Sequence, residues 1–254
     1  QDLLKESLSG IQAALKQQDA CLLGGHTLES RDPSNMPISL GIQVSLVVNG
    51  QRPPNQQPWS KGGLQAGDAL LLSRAIGSGV LFAAAMNGQA NPPDIEQALV
   101  SMQTSQHKVV QHLLHLEAML PDAIHACTDI TGFGLIGHLG EMLDASDPGL
   151  RLSLDVDAIP IYKGTLALIK KGICSTLAPS NRMAWSRLDS RAETPACIQL
   201  TSQLISNHDQ TSWQAIREIL VDPQTCGPLA LACSAELGEQ LCHVGPWTRI
   251  GSVG

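Results

Sequence analysis

Aromatic side chains are scarce: 4 Trp, 2 Phe and 1 Tyr make up 3% of 254 residues. With 43% of residues hydrophobic, the core must therefore be aliphatic. Charge is sparse too, at 15% against the ~25% usual for soluble domains. Only 16 Lys and Arg stand against 23 Asp and Glu, a net charge of −7. Such a chain is a poor general nucleic-acid binder, because neutralising phosphates needs a basic face. Long apolar runs are missing. The longest run of apolar and small residues, Ala75 to Met86, is too short for the ~20 residues of a membrane span. The seven cysteines, at 21, 127, 174, 197, 226, 233 and 242, contain no CxxC pair and no regular spacing. An odd, irregular set does not read as a disulfide framework, so a reducing, cytoplasmic setting is expected. The opening Gln1–Asp2–Leu3–Leu4–Lys5 has neither an initiator Met nor the basic start and apolar stretch of a secretory signal. The expectation is a piece of a longer chain. Walker A and GxSxG patterns are absent, as are a GxGxxG followed by an acidic residue and internal repeats.

The length allows one or two domains. Leu4, Leu8, Ile11 and Leu15 lie on one face of a helix. Cys21–Leu23 reads as the end of a strand, and alternation from Ile38 to Val48 predicts a long, half-buried strand. Residues 50–63, rich in Pro, Gly and Gln, read as a linker, which divides the chain into 1–61 and 62–254. Beyond it, strands are expected at 69–72, 123–127, 150–156, 229–233 and 248–253. Helices are expected at 79–86, 135–145, 163–171, 213–220 and 235–242. One long helix from Pro92 would carry Ile95, Leu99, Met102, Val109, Leu113 and Leu116, another would cover 198–206, and 174–195 is irregular. The fold class is α+β, with mixed α/β layers.

Four segments place chemistry next to glycine. Cys127–Thr128–Asp129–Ile130–Thr131–Gly132–Phe133–Gly134–Leu135–Ile136–Gly137–His138 reads as a strand end, a glycine bend and a helix start. Glycines let the backbone approach a bulky anion, and a helix start offers unpaired N–H groups with about half a positive charge. Asp129 is placed to hold Mg2+, which favours carboxylates and keeps substrate phosphates among its ligands. The competing reading is a plain turn, with Asp129 or Thr131 capping the helix. Gly24–Gly25–His26–Thr27 presents polar side chains after paired glycines, or is a tight turn with a surface histidine. Asp222–Pro223–Gln224–Thr225 has the composition of a turn. Ser73–Arg74–Ala75–Ile76–Gly77–Ser78–Gly79 would bind an anion through Arg74 and the helix start. The histidines at 107, 112, 115 and 125 lack carboxylate or thiol partners at ligand spacing and read as surface residues. No neighbour would activate Cys226 as a nucleophile.

These segments, in this order and with Gly67–Asp68 and Asp157–Ala158–Ile159–Pro160 between them, resemble the selenophosphate synthetases (selenide, water dikinases). That family belongs to the ATP-binding superfamily that includes aminoimidazole ribonucleotide synthetase. The resemblance runs from Cys21 to Val253, and its most specific part is the TDxTGFGLxGH wording at Thr128–His138. It implies synthesis of selenophosphate from selenide, ATP and water, with release of AMP and phosphate. It further implies Mg2+, a homodimer whose ATP site is shared between subunits, and the end of an ATP-binding domain followed by a complete α/β sandwich domain. By position, Gly25, His26 and Thr27 match the segment that reaches the partner's ATP, and Asp129 matches a metal-ligand aspartate. The family's catalytic Cys (or selenocysteine), its Lys and three further aspartate ligands correspond to positions before Gln1. The implied catalytic residues are therefore not among these 254, and this portion alone is expected to be inactive. Arg74 stands where the family usually has Lys. Cys226 and Pro228 replace a small residue and Gly, a change expected to leave the metal corner untouched. Leu177–Ala178–Pro179–Ser180–Asn181 is similar to a subgroup carrying an upstream oxidoreductase domain. Two other readings stay open: a non-catalytic binding or dimerisation module built on the edge of the 38–48 strand, and another synthetase of the same superfamily.

Overall fold

The apolar stripe at the start of the chain folds as helix α1 (Asp2–Lys16). The computed structural model describes residues 2–26, 44–50, 57–189 and 196–254. The chain divides into two compact units, Gln1–Gln57 and Pro58–Gly254. In the first, α1 has no buried residue. Two expectations there are corrected. Cys21–Leu23 is irregular and exposed, and residues 44–48 form no strand, because no described strand of the first unit pairs with either. The rest of the 38–48 prediction lies outside the described residues.

The second unit is a six-stranded sheet with helices on both faces. Its strands are β1 (Ala69–Leu72), β2 (Ile124–Asp129), β3 (Leu152–Asp155), β4 (Ile198–Thr201), β5 (Leu229–Cys233) and β6 (Thr248–Val253), in the order β2-β5-β1-β6-β3-β4. All neighbours are antiparallel except β3 and β4. The described helices are α2 (Ser78–Met86), α3 (Pro92–Gln103), α4 (His107–Met119), α5 (Gly134–Asp144), α6 (Thr165–Lys170), α7 (Ala178–Asn181), α8 (Gln210–Leu220) and α9 (Ala235–Val244), with a 3-10 turn at Arg182–Arg187. None of them is long and apolar enough to cross a membrane.

Strand side chains alternate between faces, and β1 divides its leucines accordingly. Leu70 and Leu72 join the larger cluster, with Val80, Leu135, Leu139, Ile216 and Ile219. Leu71 joins the smaller one, with Leu113, Leu237, Leu241 and Trp247. A strand covered on both faces is apolar throughout, which is why Ala69–Leu72 shows no polar position. This is the mixed α/β layering expected from the sequence.

Two helix expectations are corrected. The long helix from Pro92 is two helices. Thr104 turns extended, its carbonyl accepts from Arg74 Nη2 at 2.7 Å, and the chain restarts at His107. Residues 198–201 form a strand rather than a helix. Leu152 to Asp155 pair with Ile198 to Thr201 residue by residue, and Asp157 takes hydrogen bonds from Ser202, Gln203 and Leu204 just beyond it. The 174–195 stretch, read as irregular, contains α7 and the 3-10 turn.

One crossing sets the tightness of the fold. Gly134 opens α5 with φ +71, and a Cβ there would lie 2.6 Å from the Val221 carbonyl carbon. Left-handed backbone and that approach together exclude any side chain. Gly134→Ala is therefore expected to destabilise the second unit by about 3 kcal/mol or more, from the strained backbone and the overlap combined. Urea denaturation measures it, and a loss under about 1 kcal/mol, the scale of an ordinary substitution, would contradict the reading.

Candidate functional site

The end of β2 meets a strap, Val221–Pro228, that leads into β5. Asp129 is the last residue of β2, opposite Leu229, and is exposed. Ile130 donates its N–H to Pro228 O at 2.8 Å. The Thr131 carbonyl accepts from Gly134 N–H at 3.1 Å, closing the bend, and from Gln224 N–H at 2.9 Å, fastening the bend to the strap. The approach is so close that a Cβ on Gly227 would lie 1.9 Å from Ile130 O. The Pro228 carbonyl thus holds the residue next to Asp129, a main-chain contact that the ring of proline leaves available.

No described residue forms a hydrogen bond or ion pair with the Asp129 carboxylate. It does not cap α5 either: Phe133 holds the cap position and makes no side-chain hydrogen bond. Thr131 is engaged elsewhere. Its N–H donates to His138 Nε2 at 3.1 Å, and its Oγ1 lies 3.2 Å from the same nitrogen. An exposed carboxylate beside a glycine bend, with no partner among the described residues, is placed where a cation could reach it.

Asp129 fits Mg2+ as one ligand of a larger set. Mg2+ is commonly held by one or two carboxylates together with substrate phosphates and water. Among the described residues no group of three or more His, Cys, Asp or Glu is gathered to hold a metal ion by itself. Of the other predicted site residues, Gly25 and His26 are exposed in an irregular segment of the first unit, and Thr27 lies outside the described residues.

The strap is more than a turn. Gln224 Oε1 accepts from the N–H of Gly77 at 2.8 Å and of Ser78 at 3.2 Å, and from Ser78 Oγ at 3.2 Å. Asp222 Oδ2 accepts from Val80 N–H at 3.3 Å and from Gln224 Nε2 at 3.0 Å. The first N–H groups of α2 are thereby satisfied by residues some 145 positions away, meeting a need that every helix start has. This corrects two expectations. The start of α2 already carries a carboxylate and an amide. Arg74 is not aimed at an anion, since its guanidinium donates to Cys226 O at 3.1 Å and Thr104 O at 2.7 Å.

Sequence reasoning passed over three supports of the corner. Asn181 Nδ2 bridges Gly132 O at 2.8 Å and Val221 O at 3.0 Å, tying bend to strap. Gln106 Nε2 donates to Gly227 O at 3.1 Å, while Ser73 Oγ donates to Gln106 Oε1 and accepts from Leu229 N–H. Lys61 Nζ bonds Glu141 Oε2 at 2.6 Å, beside His138. Of these, Asn181 had a signal as the end of the Leu177–Asn181 stretch, and Ser73 as the start of the Ser73–Gly79 segment. Of the histidines, His125 is not a surface residue: its Nδ1 lies 2.6 Å from buried Asp68 and its Nε2 lies 2.9 Å from Asp122 O. Burial pushes the thiols of Cys127 and Cys233 up to about 12, so neither is a nucleophile.

A mixed α/β sandwich whose strand end, glycine bend and strap leave one carboxylate without a partner among the described residues is the class that this geometry defines. Residues 65–244 match the family model "AIR synthase related protein, C-terminal domain". The chain belongs to that family. It is 30% identical over 240 residues to the selenide, water dikinase of Bdellovibrio bacteriovorus, covering 94% of this chain and 59% of that protein. It is 32% identical over 213 residues to the enzyme of that name from Rhizobium meliloti, covering 84% and 51%. The chain thus spans between half and three fifths of these relatives. Among solved structures it resembles Escherichia coli HypE, a hydrogenase maturation protein, at 18% identity and TM-score 0.44, covering 77% of this chain and 46% of that one. It also resembles thiamine-monophosphate kinase from Stenotrophomonas maltophilia at 15% identity and TM-score 0.40, covering 77% and 50%. Both are too distant for residue-level comparison.

Burial pushes the Asp222 carboxyl up from its ordinary 3.8 to about 7, against the pull of the amide donors around it. Between those values the folded chain keeps a proton that the unfolded chain releases. Stability from this group is therefore fully present below about pH 4, falls as pH rises, and levels off above about pH 7. Three pH units correspond to at most about 4 kcal/mol. Asp222→Asn should remove that part of the pH slope in denaturation between pH 4 and 7, whereas an unchanged slope would contradict the assignment.

Proposed function

We propose that this chain is the C-terminal portion of a selenophosphate synthetase, which makes selenophosphate, AMP and phosphate from selenide, ATP and water. The observation that carries the reading is the Asp129 carboxylate, exposed beside a glycine bend and without a partner among the described residues. The similarity to proteins named selenide, water dikinase supports it. In this reading Asp129 is one of several carboxylates holding Mg2+ against the nucleotide's phosphates. A Mg2+ ion held there would supply charge neutralisation at the phosphates. The bend fixes where the carboxylate stands, so the contribution of this domain is positioning rather than bond-making.

The same proposal includes a homodimer in which Gly25, His26 and Thr27 of one subunit reach the ATP of the other. It includes the division at 61/62 between the end of an ATP-binding domain and the synthetase domain, an upstream oxidoreductase domain, and a cytoplasmic setting. Residues 1–254 alone turn over no ATP in this reading, since a single carboxylate cannot offset the charge of a bound triphosphate and its cation.

A second reading, a non-catalytic dimerisation module, draws support from the apolar exposure of the first unit. Leu23 is 90%, Val47 88% and Val48 79% exposed. Light scattering of the isolated chain tests this second reading: a monomer removes it.

Selenide-dependent AMP formation tests the first. An enzyme that contains these residues together with the family's upstream nucleophile segment should turn over, and residues 1–254 alone should not. Asp129→Ala in that enzyme should lower kcat by about 100-fold or more, the scale of losing one fixed charge-stabilising group, with the melting temperature unchanged. Wild-type turnover by the variant would exclude the metal role.

A further inference from the structure

His138 lies in the first turns of α5 with its side chain only 5% exposed, and its two ring nitrogens face different partners. Nε2 faces the Thr131 backbone N–H at 3.1 Å and Thr131 Oγ1 at 3.2 Å. A backbone N–H only donates, so Nε2 must offer its lone pair. The ring proton is then on Nδ1, which lies 3.3 Å from Glu141 Oε2. That contact is electrostatic rather than a well-directed hydrogen bond. The same Glu141 oxygen bonds Lys61 Nζ at 2.6 Å. A line of contacts therefore runs from Lys61, before β1, through Glu141 and His138 to Thr131, two residues past Asp129.

We propose that His138 is a positioning residue of the glycine bend: as a neutral ring protonated at Nδ1, it holds Thr131 and so fixes the bend that presents Asp129. Thr131 is the natural point to grip. Its carbonyl is already taken by Gly134 and Gln224, so the ring secures the other side of the same residue. The exposed ring of Phe133 packs beside the imidazole, with the ring centroids 5.7 Å apart and the planes tilted by 50°. Glu141 and Lys61 set the tautomer, because a carboxylate opposite Nδ1 favours a proton there. The charged groups that act on His138 are Glu141 on its own helix, Lys61 from the segment before β1, and Asp129 at the end of β2. Burial holds the ring's pKa below its ordinary value despite the pull of Glu141, which keeps Nε2 an acceptor at neutral pH. Protonation of Nε2 would set two donors against each other and release the bend.

The importance of this grip for catalysis rests on the proposed metal role of Asp129. The test does not, because it uses neither metal nor nucleotide. Nitrogen-15 NMR of the 254-residue chain reads the His138 tautomer directly, and amide exchange reads the Thr131 hydrogen bond. The Nδ1–H tautomer is expected at neutral pH. His138→Leu keeps the bulk and removes the acceptor. It should speed Thr131 exchange about tenfold, the worth of one ordinary hydrogen bond, and shift the amide resonances from Asp129 to Gly134. His138→Gln, whose carbonyl oxygen reaches to about the place of Nε2, should restore slow exchange. An Nε2–H tautomer would overturn the proposal, as would equal exchange in the Leu and Gln variants. If His138→Leu fails to fold, the wild-type tautomer and the Gln variant decide the matter. Failure of the dikinase assay with the Nδ1–H tautomer present would remove the metal reading and leave the grip intact.

Discussion

The corner depends on a backbone crossing, where the strap Val221–Pro228 runs against the glycine bend after β2. Two glycines make it possible, Gly134 beneath Val221 and Gly227 beside Ile130. Hydrogen bonds then lock it, from Ile130 to Pro228, from Gln224 to Thr131, and from Asn181 to both sides. The same strap supplies the amide and carboxyl that finish the start of α2. One short segment thereby joins two helix starts and the end of a strand, and backbone bonds of this kind leave little freedom at the corner.

Two aspartates within that frame have opposite fates. Asp222 is fully buried, satisfies the polar groups of α2, and has its carboxyl pushed toward the neutral form. Asp129 stands outside, with nothing among the described residues to answer it. Burial makes a carboxylate structural, because its charge must be suppressed or matched internally. Exposure at a rigid strand end leaves the other free to act on something brought to it. That contrast, more than the presence of acidic residues, is what the proposed metal role of Asp129 rests on.

Much of this was legible in the sequence, for identifiable reasons. The strand ending at Asp129, the glycine bend and α5 have strong local signals: alternation, Gly132 and Gly134, then an apolar periodic run. What escaped was non-local. Asp222 and Gln224 look like turn residues until they are seen against α2, far away in the chain. Thr104 turns extended in the middle of a continuous apolar period, and its carbonyl is held by the distant Arg74. Ile198 and Leu200 alternate over too few residues to announce a strand, and it is β3 that makes them one. Arg74 reads as an anion ligand from its neighbours, yet both of its bonds are to backbone carbonyls. Pairing, capping and strap contacts depend on partners that local pattern does not carry.

The central claim is that Asp129 meets a nucleotide-bound cation. A crystal structure of the enzyme containing this chain, with Mg2+ and a non-hydrolysable ATP analogue, tests it most directly. The account predicts an Asp129 carboxylate oxygen in the inner coordination sphere of a phosphate-bound Mg2+, at about 2.0–2.1 Å. A metal fully coordinated by other groups, with Asp129 still turned to solvent, would contradict it.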